Sequence, residues 1–365
     1  MSLLAPLAPL RAHAGNRLTQ GLSDQQVEQL AANHPDLRAA IDAAADEYAR
    51  IKTQAAALLD LDESAQIAAV QDGFVNFYAD DAVVPYIALA ARGPWVVSLK
   101  GAVLYDAGGY GMLGFGHTPA DILEAVGKPQ VMANIMTPSL AQGRFIAAMR
   151  REIGHTRGGC PFSHFMCLNS GSEAVGLAAR IADINAKLMT DPGARHAGAT
   201  IKRVVIKGSF HGRTDRPALY SDSTRKAYDA HLASYRDEHS VIAIAPYDQQ
   251  ALRQVFADAQ ANHWFIEAVF LEPVMGEGDP GRAVPVDFYR LARELTREHG
   301  SLLLIDSIQA ALRVHGTLSF VDYPGHQELE APDMETYSKA LNGAQFPLSV
   351  LAVTEHAAHL YRKGV

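Results

Sequence analysis

The stretch from Ser301 to Lys339 decides the fold of this chain. It begins with Ser301-Leu-Leu-Leu-Ile-Asp306 and closes with Ser338-Lys339. A short apolar run bounded by polar residues predicts a buried parallel strand, and α/β folds place their ligands at the carboxyl ends of such strands. Asp306 would therefore face a ligand, and Lys339 would reach the same crevice after a second short segment.

An acid and an amine that meet in one pocket suit a pyridoxal phosphate enzyme. The amine would form a Schiff base, and the acid would keep the pyridinium nitrogen protonated so that the ring acts as an electron sink. Each residue alone also has a simpler interpretation. An Asp at a strand end is often a cap or turn residue, and a Lys near a helix start is usually a solvated charge. The hypothesis therefore depends on the rest of the chain.

Composition and charge limit the class of protein. The chain has 365 residues, of which 48% are hydrophobic and 20% charged, and its net charge is −8. This length suits about two domains. The acidic balance predicts no nucleic-acid or membrane partner, and no apolar run reaches the length of about 18 residues that would span a bilayer. The two cysteines, Cys160 and Cys167, are too few for a disulfide framework or a four-thiolate metal site, so we expect a cytoplasmic protein without a metal.

The first part of the chain predicts a helical arm and then a hairpin. Ser23-Asp-Gln-Gln resembles a capping box, and apolar residues recur after it at helical spacing. The run from Trp95 to Tyr105 predicts two short strands joined at Lys100-Gly101. Gly109-Tyr-Gly-Met-Leu-Gly114 matches the dinucleotide pattern GxGxxG, but it has no βαβ context, so we reject that interpretation.

A phosphate site is predicted where a strand passes into a helix. The apolar run from Ser163 to Leu168 is followed by Asn169-Ser-Gly-Ser-Glu-Ala174, which leads into a helix. Free backbone N–H groups, serine hydroxyls and the positive helix end together bind anions. An ordinary helix cap would account for one of the two serines but not for the glycine between them.

Two further strand ends carry polar or aromatic residues. A strand over Lys202–Lys207 precedes Gly208-Ser-Phe-His-Gly-Arg-Thr214, whose aromatic pair would stack on a planar ring or simply pack the loop. A strand over Trp264–Leu271 ends at Glu272. This alternation of strands and helices predicts an open, mostly parallel α/β sheet with its ligand at the carboxyl edge.

Seven short motifs, in order along the chain, resemble those of the class III aminotransferases, a family of fold-type-I pyridoxal phosphate enzymes. Together they span roughly residues 94 to 355. The resemblance implies a mostly parallel seven-stranded sheet flanked by helices, with a smaller α+β domain. The motifs are Gly114-Phe-Gly-His117-Thr-Pro119, Asn169-Ser-Gly-Ser-Glu-Ala174, Ser209-Phe-His-Gly-Arg-Thr214, Glu272-Pro-Val-Met-Gly-Glu-Gly278, Ile305-Asp-Ser-Ile-Gln309, Pro332-Asp-Met334 and Ser338-Lys-Ala-Leu341.

The resemblance also implies a role for each site residue. Lys339 would form the Schiff base and carry the proton, and Asp306 would pair with the pyridinium nitrogen. Glu277 matches a position that neutralises a substrate-binding arginine in some members, and Arg213 is a second candidate substrate contact. The remaining cofactor-binding candidates are Ser170, Gly171 and Ser172 at the phosphate, Phe210 on the ring with His211 beside it, Gln309 at the ring hydroxyl, and Glu272 near Gln309.

The resemblance predicts four segments: a helical arm over 1–70, the N-terminal part of a small domain over 71–112, a large cofactor-binding domain over 113–350, and the start of a C-terminal small domain over 351–365. Family members continue past this point into a threonine that reaches the phosphate of the neighbouring subunit, and into the rest of that small domain. We therefore expect the C-terminal part of the domain to be missing.

Two departures lie beside the core acid. Ser307 stands where the family usually has Glu, and Ala310-Ala-Leu-Arg-Val-His-Gly316 replaces the usual Thr-Gly-Phe-Gly-Arg. The core acid itself is retained, so the departures concern the substrate side of the pocket.

The leading hypothesis is a homodimeric, pyridoxal phosphate-dependent aminotransferase. It would pass an amino group from an amino acid or amine to an oxo acid, aldehyde or ketone by a ping-pong mechanism. Aminomutase, epimerase or decarboxylase chemistry on the same fold, and a non-catalytic homologue, stay open. A nicotinamide-dependent oxidoreductase is a remote alternative that rests only on the glycine pattern at Gly109.

Overall fold

The structure of the chain is a computed structural model, and it describes residues 2–75, 82–129, 136–236 and 238–361. The chain separates into two compact units, Met1–Pro129 and Gln130–Val365. Residues 76–81 of the predicted 71–112 segment and residues 362–365 of the predicted 351–365 segment lie outside the described residues. The division into four segments stays a prediction. Within the described ranges, no helix is long and apolar enough to cross a bilayer.

Unit 1 combines helices with a small antiparallel sheet. The predicted hairpin is confirmed, because Trp95 pairs with Tyr105 across its two strands. The predicted capping box is also confirmed, since Ser23 Oγ accepts the backbone N–H of Gln26 at 3.3 Å. The elements of unit 1 are α1 (Ala8–Ala12), α2 (Asp24–Ala31), α3 (Pro35–Gln54), α4 (Ala56–Leu59), α5 (Glu63–Gln71), β1 (Ala88–Arg92), β2 (Trp95–Ser98), β3 (Val103–Tyr105) and α6 (Ala120–Gly127).

Unit 2 alternates strands and helices, as the sequence predicts. Its elements are α7 (Leu140–Glu152), β4 (His164–Leu168), α8 (Gly171–Thr190), β5 (Thr200–Ile206), α9 (Asp215–Tyr220), α10 (Arg225–His231), β6 (Val241–Ile244), α11 (Gln249–Ala261), β7 (Trp264–Leu271), α12 (Val286–His299), β8 (Leu302–Asp306), β9 (Met334–Tyr337), β10 (Ser349–Val353) and α13 (Glu355–Tyr361).

Among the described residues, seven strands of unit 2 form one sheet in the order β4-β10-β9-β8-β7-β5-β6. Strands β5, β6, β7, β8 and β9 run parallel to one another, whereas β10 is antiparallel to both of its neighbours, β4 and β9. The predicted mostly parallel seven-stranded sheet is confirmed. Strand β8, which comes from the stretch quoted first, is the central strand.

The apolar sequence of β8 follows from its position between two helical layers. Successive side chains of a strand point to opposite faces of the sheet. Leu303 and Ile305 join one core cluster with residues of α11 and α12. Leu302 and Leu304 join the other cluster, with residues of α8 and α13. Because both faces are covered, every position before Asp306 is apolar, and the carboxylate comes where the strand leaves the core.

A buried ion network joins β5, β7 and α9. Glu267 is fully buried, and its Oε1 accepts hydrogen bonds from Arg203 Nε at 2.7 Å and from Tyr220 Oη at 2.6 Å. Its Oε2 lies 3.3 Å from Arg216 Nη2. The carboxylate therefore balances the charge of Arg203, whose guanidinium is nearly buried, and shares the guanidinium of Arg216 with Asp183.

Replacing Glu267 with Gln should lower the free energy of unfolding by about 3 kcal/mol, because the substitution leaves buried guanidinium charge uncompensated. The midpoint of urea unfolding measures this effect. Asp191→Asn is the control, since Asp191 pairs with Lys187 on an exposed helix surface at 2.6 Å. That exposed pair should contribute no more than about 0.5 kcal/mol. Equal shifts for the two variants would contradict the prediction.

Candidate active site

A cavity of about 170 Å³ lies at the carboxyl edge of the large sheet, within unit 2. Its walls come from the segments that follow β4, β5, β7, β8 and β9. Every residue that the sequence predicts for cofactor binding lines this one cavity. Three further lining residues, Gly212, Ile308 and Ser338, are not among the predicted ones. The full lining is Ser170, Gly171, Ser172, Phe210, His211, Gly212, Glu272, Asp306, Ile308, Gln309, Ser338 and Lys339.

Asp306 is held in one orientation by donors from three segments. Its Oδ1 accepts the hydroxyl of Thr336 and the backbone N–H of Ile308, each at 3.1 Å. Its Oδ2 lies 2.9 Å from Nδ1 of His211, in a contact with almost no solvent exposure. A carboxylate can only accept here, so His211 carries its proton on Nδ1.

The other ring nitrogen of His211 has no such partner. Its Nε2 is buried, and within the part of the chain that the structure describes it makes no hydrogen bond. The backbone of His211 is fixed separately, because its N–H donates to Ser221 Oγ at 2.8 Å. Buried polar atoms are usually paired, so an unpaired nitrogen in a residue that lines a cavity is suited to bind a polar atom of a ligand.

Lys339 stands at the end of β9 in an uncommon conformation. Its φ of 41° lies in the left-handed region, which costs energy for a residue with a side chain, and such strain concentrates at functional sites. Burial lowers the pKa of Lys339, while the carboxylates of Asp306 and Glu277 oppose that shift. A lowered pKa increases the neutral, nucleophilic fraction of an amine.

The predicted phosphate site forms the start of α8. Ser170 is the cap of this helix, since its Oγ accepts the backbone N–H of Glu173 at 3.3 Å. Glu173 in turn accepts the backbone N–H of Asn169 at 2.8 Å and that of Ser170 at 3.0 Å. The ordinary cap therefore accounts for Ser170. Gly171 and Ser172 are the first helical residues, whose N–H groups have no acceptor within the helix.

Two glycines allow close approach around this helix start. A Cβ on Gly171 would come within 2.7 Å of Ile308 Cδ1. Gly212 has a φ of 116°, and a Cβ there would lie 2.8 Å from Ser172 Oγ. At Gly171 the end of the Ile308 side chain would have to move, whereas Gly212 requires glycine for its backbone conformation and lets the His-Gly-Arg loop meet the Ser-Gly-Ser turn.

Glu272 joins the end of β7 to the aromatic loop. Its two carboxylate oxygens accept the backbone N–H groups of Phe210 at 2.9 Å and Gly276 at 3.0 Å. Burial raises the pKa of Glu272 to about 7, with a further contribution from Asp306, while His211 and the two amides act in the opposite direction.

The raised pKa of Glu272 predicts a pH-dependent contribution to stability. The carboxyl ionises near pH 4.5 when unfolded but near pH 7 when folded, so its contribution to the free energy of unfolding falls as the pH rises through this window. Glu272→Gln cannot lose a proton and should show a weaker fall. Urea unfolding of both proteins between about pH 5 and 7 measures the difference. Parallel stability curves would show that the folded carboxyl titrates normally.

The two residues predicted to contact the substrate form an ion pair beside Phe210. Arg213 Nη2 lies 3.0 Å from Glu277 Oε1, and both side chains are about one-third exposed. The guanidinium carbon of Arg213 also lies 5.2 Å from the centre of the Phe210 ring. Neither residue is part of the cavity wall. Arg313 was not predicted from the sequence, yet its charge acts on Lys339 and its Nη1 donates to the carbonyl of Gln309 at 3.1 Å.

Comparison with known proteins places this geometry in a family. The family model described as aminotransferase class-III matches residues 77–364. Acetylornithine aminotransferase of Mycolicibacterium smegmatis is 30% identical over 258 residues, which cover 68% of this chain and 58% of that protein. Glutamate-1-semialdehyde 2,1-aminomutase of Rhodopirellula baltica is 27% identical over 263 residues, covering 69% and 53%. The chain thus spans little more than half the length of these relatives.

Solved structures show the same fold. Ornithine aminotransferase from Toxoplasma gondii ME49 superposes with a TM-score of 0.66 at 21% identity, covering 86% of this chain and 69% of that one. An (S)-enantioselective omega-transaminase from Thermomicrobium roseum gives 0.64 at 19% identity, covering 81% and 67%. The predicted fold class is therefore confirmed. Since the family model covers most of the chain, this protein belongs to the class III aminotransferases.

Proposed function

We propose that this chain is a pyridoxal phosphate-dependent aminotransferase, which passes an amino group from an amino acid or amine to an oxo acid, aldehyde or ketone by a ping-pong mechanism. One observation carries the proposal. A single cavity brings together the amine of Lys339, the carboxylate of Asp306 and the start of α8 at Ser172. These groups correspond to the three functional ends of the cofactor, its aldehyde, its ring nitrogen and its phosphate.

The residues present fit this cofactor. Lys339 would hold it through the side-chain amine, and Asp306 through the ring nitrogen. The backbone N–H groups of Gly171 and Ser172 would hold the phosphate, because a helix start with free N–H groups suits an anion. The unpaired Nε2 of His211 supplies a buried polar group beside these contacts. Phe210 and Gln309 would complete the site at the face and the hydroxyl of the ring.

When bound, pyridoxal phosphate supplies an electron sink that stabilises negative charge on the substrate carbon next to the amine. The chain contributes positioning and proton transfer. Burial lowers the pKa of Lys339, which favours its neutral amine. This amine is the base that would remove the proton from that carbon and then deliver it to the cofactor carbon. Asp306 is fixed by Thr336 and His211, so its charge stays directed at one point during these steps.

Arg213 and Glu277 are the proposed substrate-recognition pair. A substrate carboxylate would bind Arg213 and release it from Glu277, whereas a substrate without a carboxylate would leave the ion pair intact. The geometry that supports this role is the 3.0 Å contact between the two side chains beside Phe210. A partly exposed ion pair is weak enough to be exchanged for a ligand.

An absorption spectrum of the purified chain with pyridoxal phosphate, followed by borohydride reduction and peptide mapping, tests the proposal. We expect a new visible band and a label on Lys339. Labels scattered over surface lysines would contradict the assignment. Amino transfer is then followed with a nitrogen-labelled amino donor. Label that moves to a separate acceptor identifies an aminotransferase.

The similarity to an aminomutase supports a second candidate on the same site. Glutamate-1-semialdehyde 2,1-aminomutase of Rhodopirellula baltica is 27% identical to this chain. An aminomutase would return the labelled nitrogen to the same carbon skeleton at a new position. Analysis of the product by mass spectrometry therefore separates the two reactions.

The proposal includes a homodimer in the cytoplasm. Helix α6 buries none of its side chains. Two of its large apolar side chains, Leu123 and Val126, are 42% and 57% exposed. Apolar side chains left exposed on a helix commonly mark a surface for association. Sedimentation equilibrium should give twice the chain mass, and a monomer at all concentrations would contradict this part. Cys160 and Cys167 are both free thiols, which suits a reducing compartment.

A further inference from the structure

Glu335 is a buried carboxylate that the proposed reaction does not use. It lies in the middle of β9 with no solvent exposure. Its Oε1 accepts the hydroxyl of Ser307 at 2.6 Å and the backbone N–H of Phe320 at 2.8 Å. Its Oε2 accepts the hydroxyl of Ser319 at 2.6 Å. One side chain therefore binds both ends of the segment 307–320, which we call the 307–320 loop.

The 307–320 loop forms part of the wall of the cofactor cavity. It begins directly after Asp306 and carries Ile308 and Gln309, both of which line the cavity. The side chain of Gln309 lies against the backbone of Gly276, where a Cβ would come within 2.1 Å of its Oε1. The position of this loop therefore decides whether Gln309 can reach the ring of a bound cofactor.

The backbone of the 307–320 loop is strained at two residues. Leu312 and His315 have φ angles of 63° and 58°, which are unfavourable for residues with side chains. The backbone hydrogen bonds within the loop join residues 307–317, for example Ala311 N to Ser307 O and Leu312 N to Thr317 O, each at 2.8 Å. A strained segment keeps one conformation only when its surroundings hold it.

The electrostatic surroundings of Glu335 make its burial costly. Within the described residues no arginine, lysine or histidine forms an ion pair with Glu335, and burial raises its pKa to about 7. Burying an acid without a cation is costly, and here the three hydrogen-bond donors offset part of that cost. Four titratable side chains interact electrostatically with Glu335: Tyr289, Tyr323, Tyr337 and Cys160. Burial raises the pKa of each of them, so all four are neutral at pH 7.

We propose that Glu335 is a positioning residue, whose carboxylate fastens both ends of the 307–320 loop and so fixes Ile308 and Gln309 against the cofactor. The N–H of Phe320 can only donate, and the two serine hydroxyls donate in the observed arrangement, so the position requires a side chain that accepts three hydrogen bonds. The inference rests on the proposed function, because the loop is argued to act on bound pyridoxal phosphate.

Hydrogen exchange and cofactor binding of Glu335→Gln test the proposal. An amide side chain offers one acceptor oxygen and places an NH2 group against the remaining donors, so the loop should open more often. We expect backbone amides within the 307–320 loop, such as those of Ala311 and Leu312, to exchange about tenfold faster in the free protein. The dissociation constant of pyridoxal phosphate, measured by absorbance, should rise about tenfold.

Asp333→Asn is the matched control. Asp333 is a buried carboxylate two residues before Glu335, and it accepts hydrogen bonds from Arg293 Nη1 at 2.7 Å and from Leu303 N at 2.8 Å. None of these partners belongs to the 307–320 loop. This variant should lower the urea midpoint as well, while loop exchange and cofactor affinity stay within about twofold of the unchanged protein.

Two results would overturn the proposal: unchanged loop exchange in Glu335→Gln, or equally fast loop exchange in Asp333→Asn at a matched loss of stability. Should Glu335→Gln not fold, Ser307→Ala removes a single donor and should still speed loop exchange about threefold. Failure of the proposed function can be distinguished from failure of this proposal, because hydrogen exchange is measured on the protein without cofactor. A protein that does not bind pyridoxal phosphate would remove the functional consequence, yet the exchange data would still decide whether Glu335 holds the loop.

Discussion

Lys339→Ala is expected to abolish covalent capture of pyridoxal phosphate and to slow amino transfer by about three orders of magnitude. The lysine amine is the group that would both hold the cofactor and move the proton, so its loss removes two functions at once. Burial lowers the pKa of Lys339, which favours the neutral amine that these functions need. Borohydride reduction with peptide mapping measures the capture, and stopped-flow absorbance of one half-reaction measures the rate.

Lys207→Ala is the control for this substitution. Lys207 also follows a strand of the same sheet, directly after β5, but its side chain is exposed and does not line the cavity. Capture and rate should therefore be unchanged within about twofold, as for most surface substitutions. Full labelling of the Lys339→Ala variant at another residue would show that the cofactor lysine has been wrongly assigned.

Asp306→Asn should raise the dissociation constant of pyridoxal phosphate by about tenfold or more and slow amino transfer by about two to three orders of magnitude. The amide keeps nearly the shape of the carboxylate but carries no charge, so it cannot hold a proton on the ring nitrogen. It also places an NH2 group where Thr336 or His211 now donates. Titration of the cofactor by absorbance and the same half-reaction measure the two effects.

A buried carboxylate elsewhere in unit 2 separates loss of function from loss of stability. Asp322 accepts the backbone N–H of Gly154 at 2.7 Å and that of Thr156 at 2.9 Å, and it lines no part of the cavity. Asp322→Asn should lower the urea midpoint but leave cofactor affinity unchanged. If Asp306→Asn affected only stability, as Asp322→Asn should, the assignment of the core acid would be wrong.

The central strand and its acid are the part of the fold that local sequence determines. Four consecutive apolar residues before Asp306 are required because both faces of β8 are covered by helices. The Ser-Gly-Ser turn after β4 is similarly local, since a helix start with small residues specifies its own backbone geometry. Together with the family resemblance, these patterns predicted the cofactor-binding candidates, which the structure brings into one cavity.

Strands without a distinctive pattern escaped prediction. Strand β1, Ala88-Leu-Ala-Ala-Arg92, has no β-branched residue and no alternation, so its sequence does not distinguish it from a helix. Strand β9 has the sequence Met-Glu-Thr-Tyr, which indicates a polar segment, yet all four of its residues are buried. Neighbouring strands decide both cases by supplying hydrogen-bond partners.

The sequence by itself determined the sheet, the acid, the amine and the turn that we propose binds phosphate, because apolar periodicity and turn chemistry act over a few residues. Only the tertiary structure decided how polar groups far apart in sequence satisfy one another. Glu335 reaches back across 28 residues to Ser307, and Arg213 meets Glu277 over a separation of 64. A buried polar side chain is stable only with its partner, and the partner is chosen by the fold as a whole.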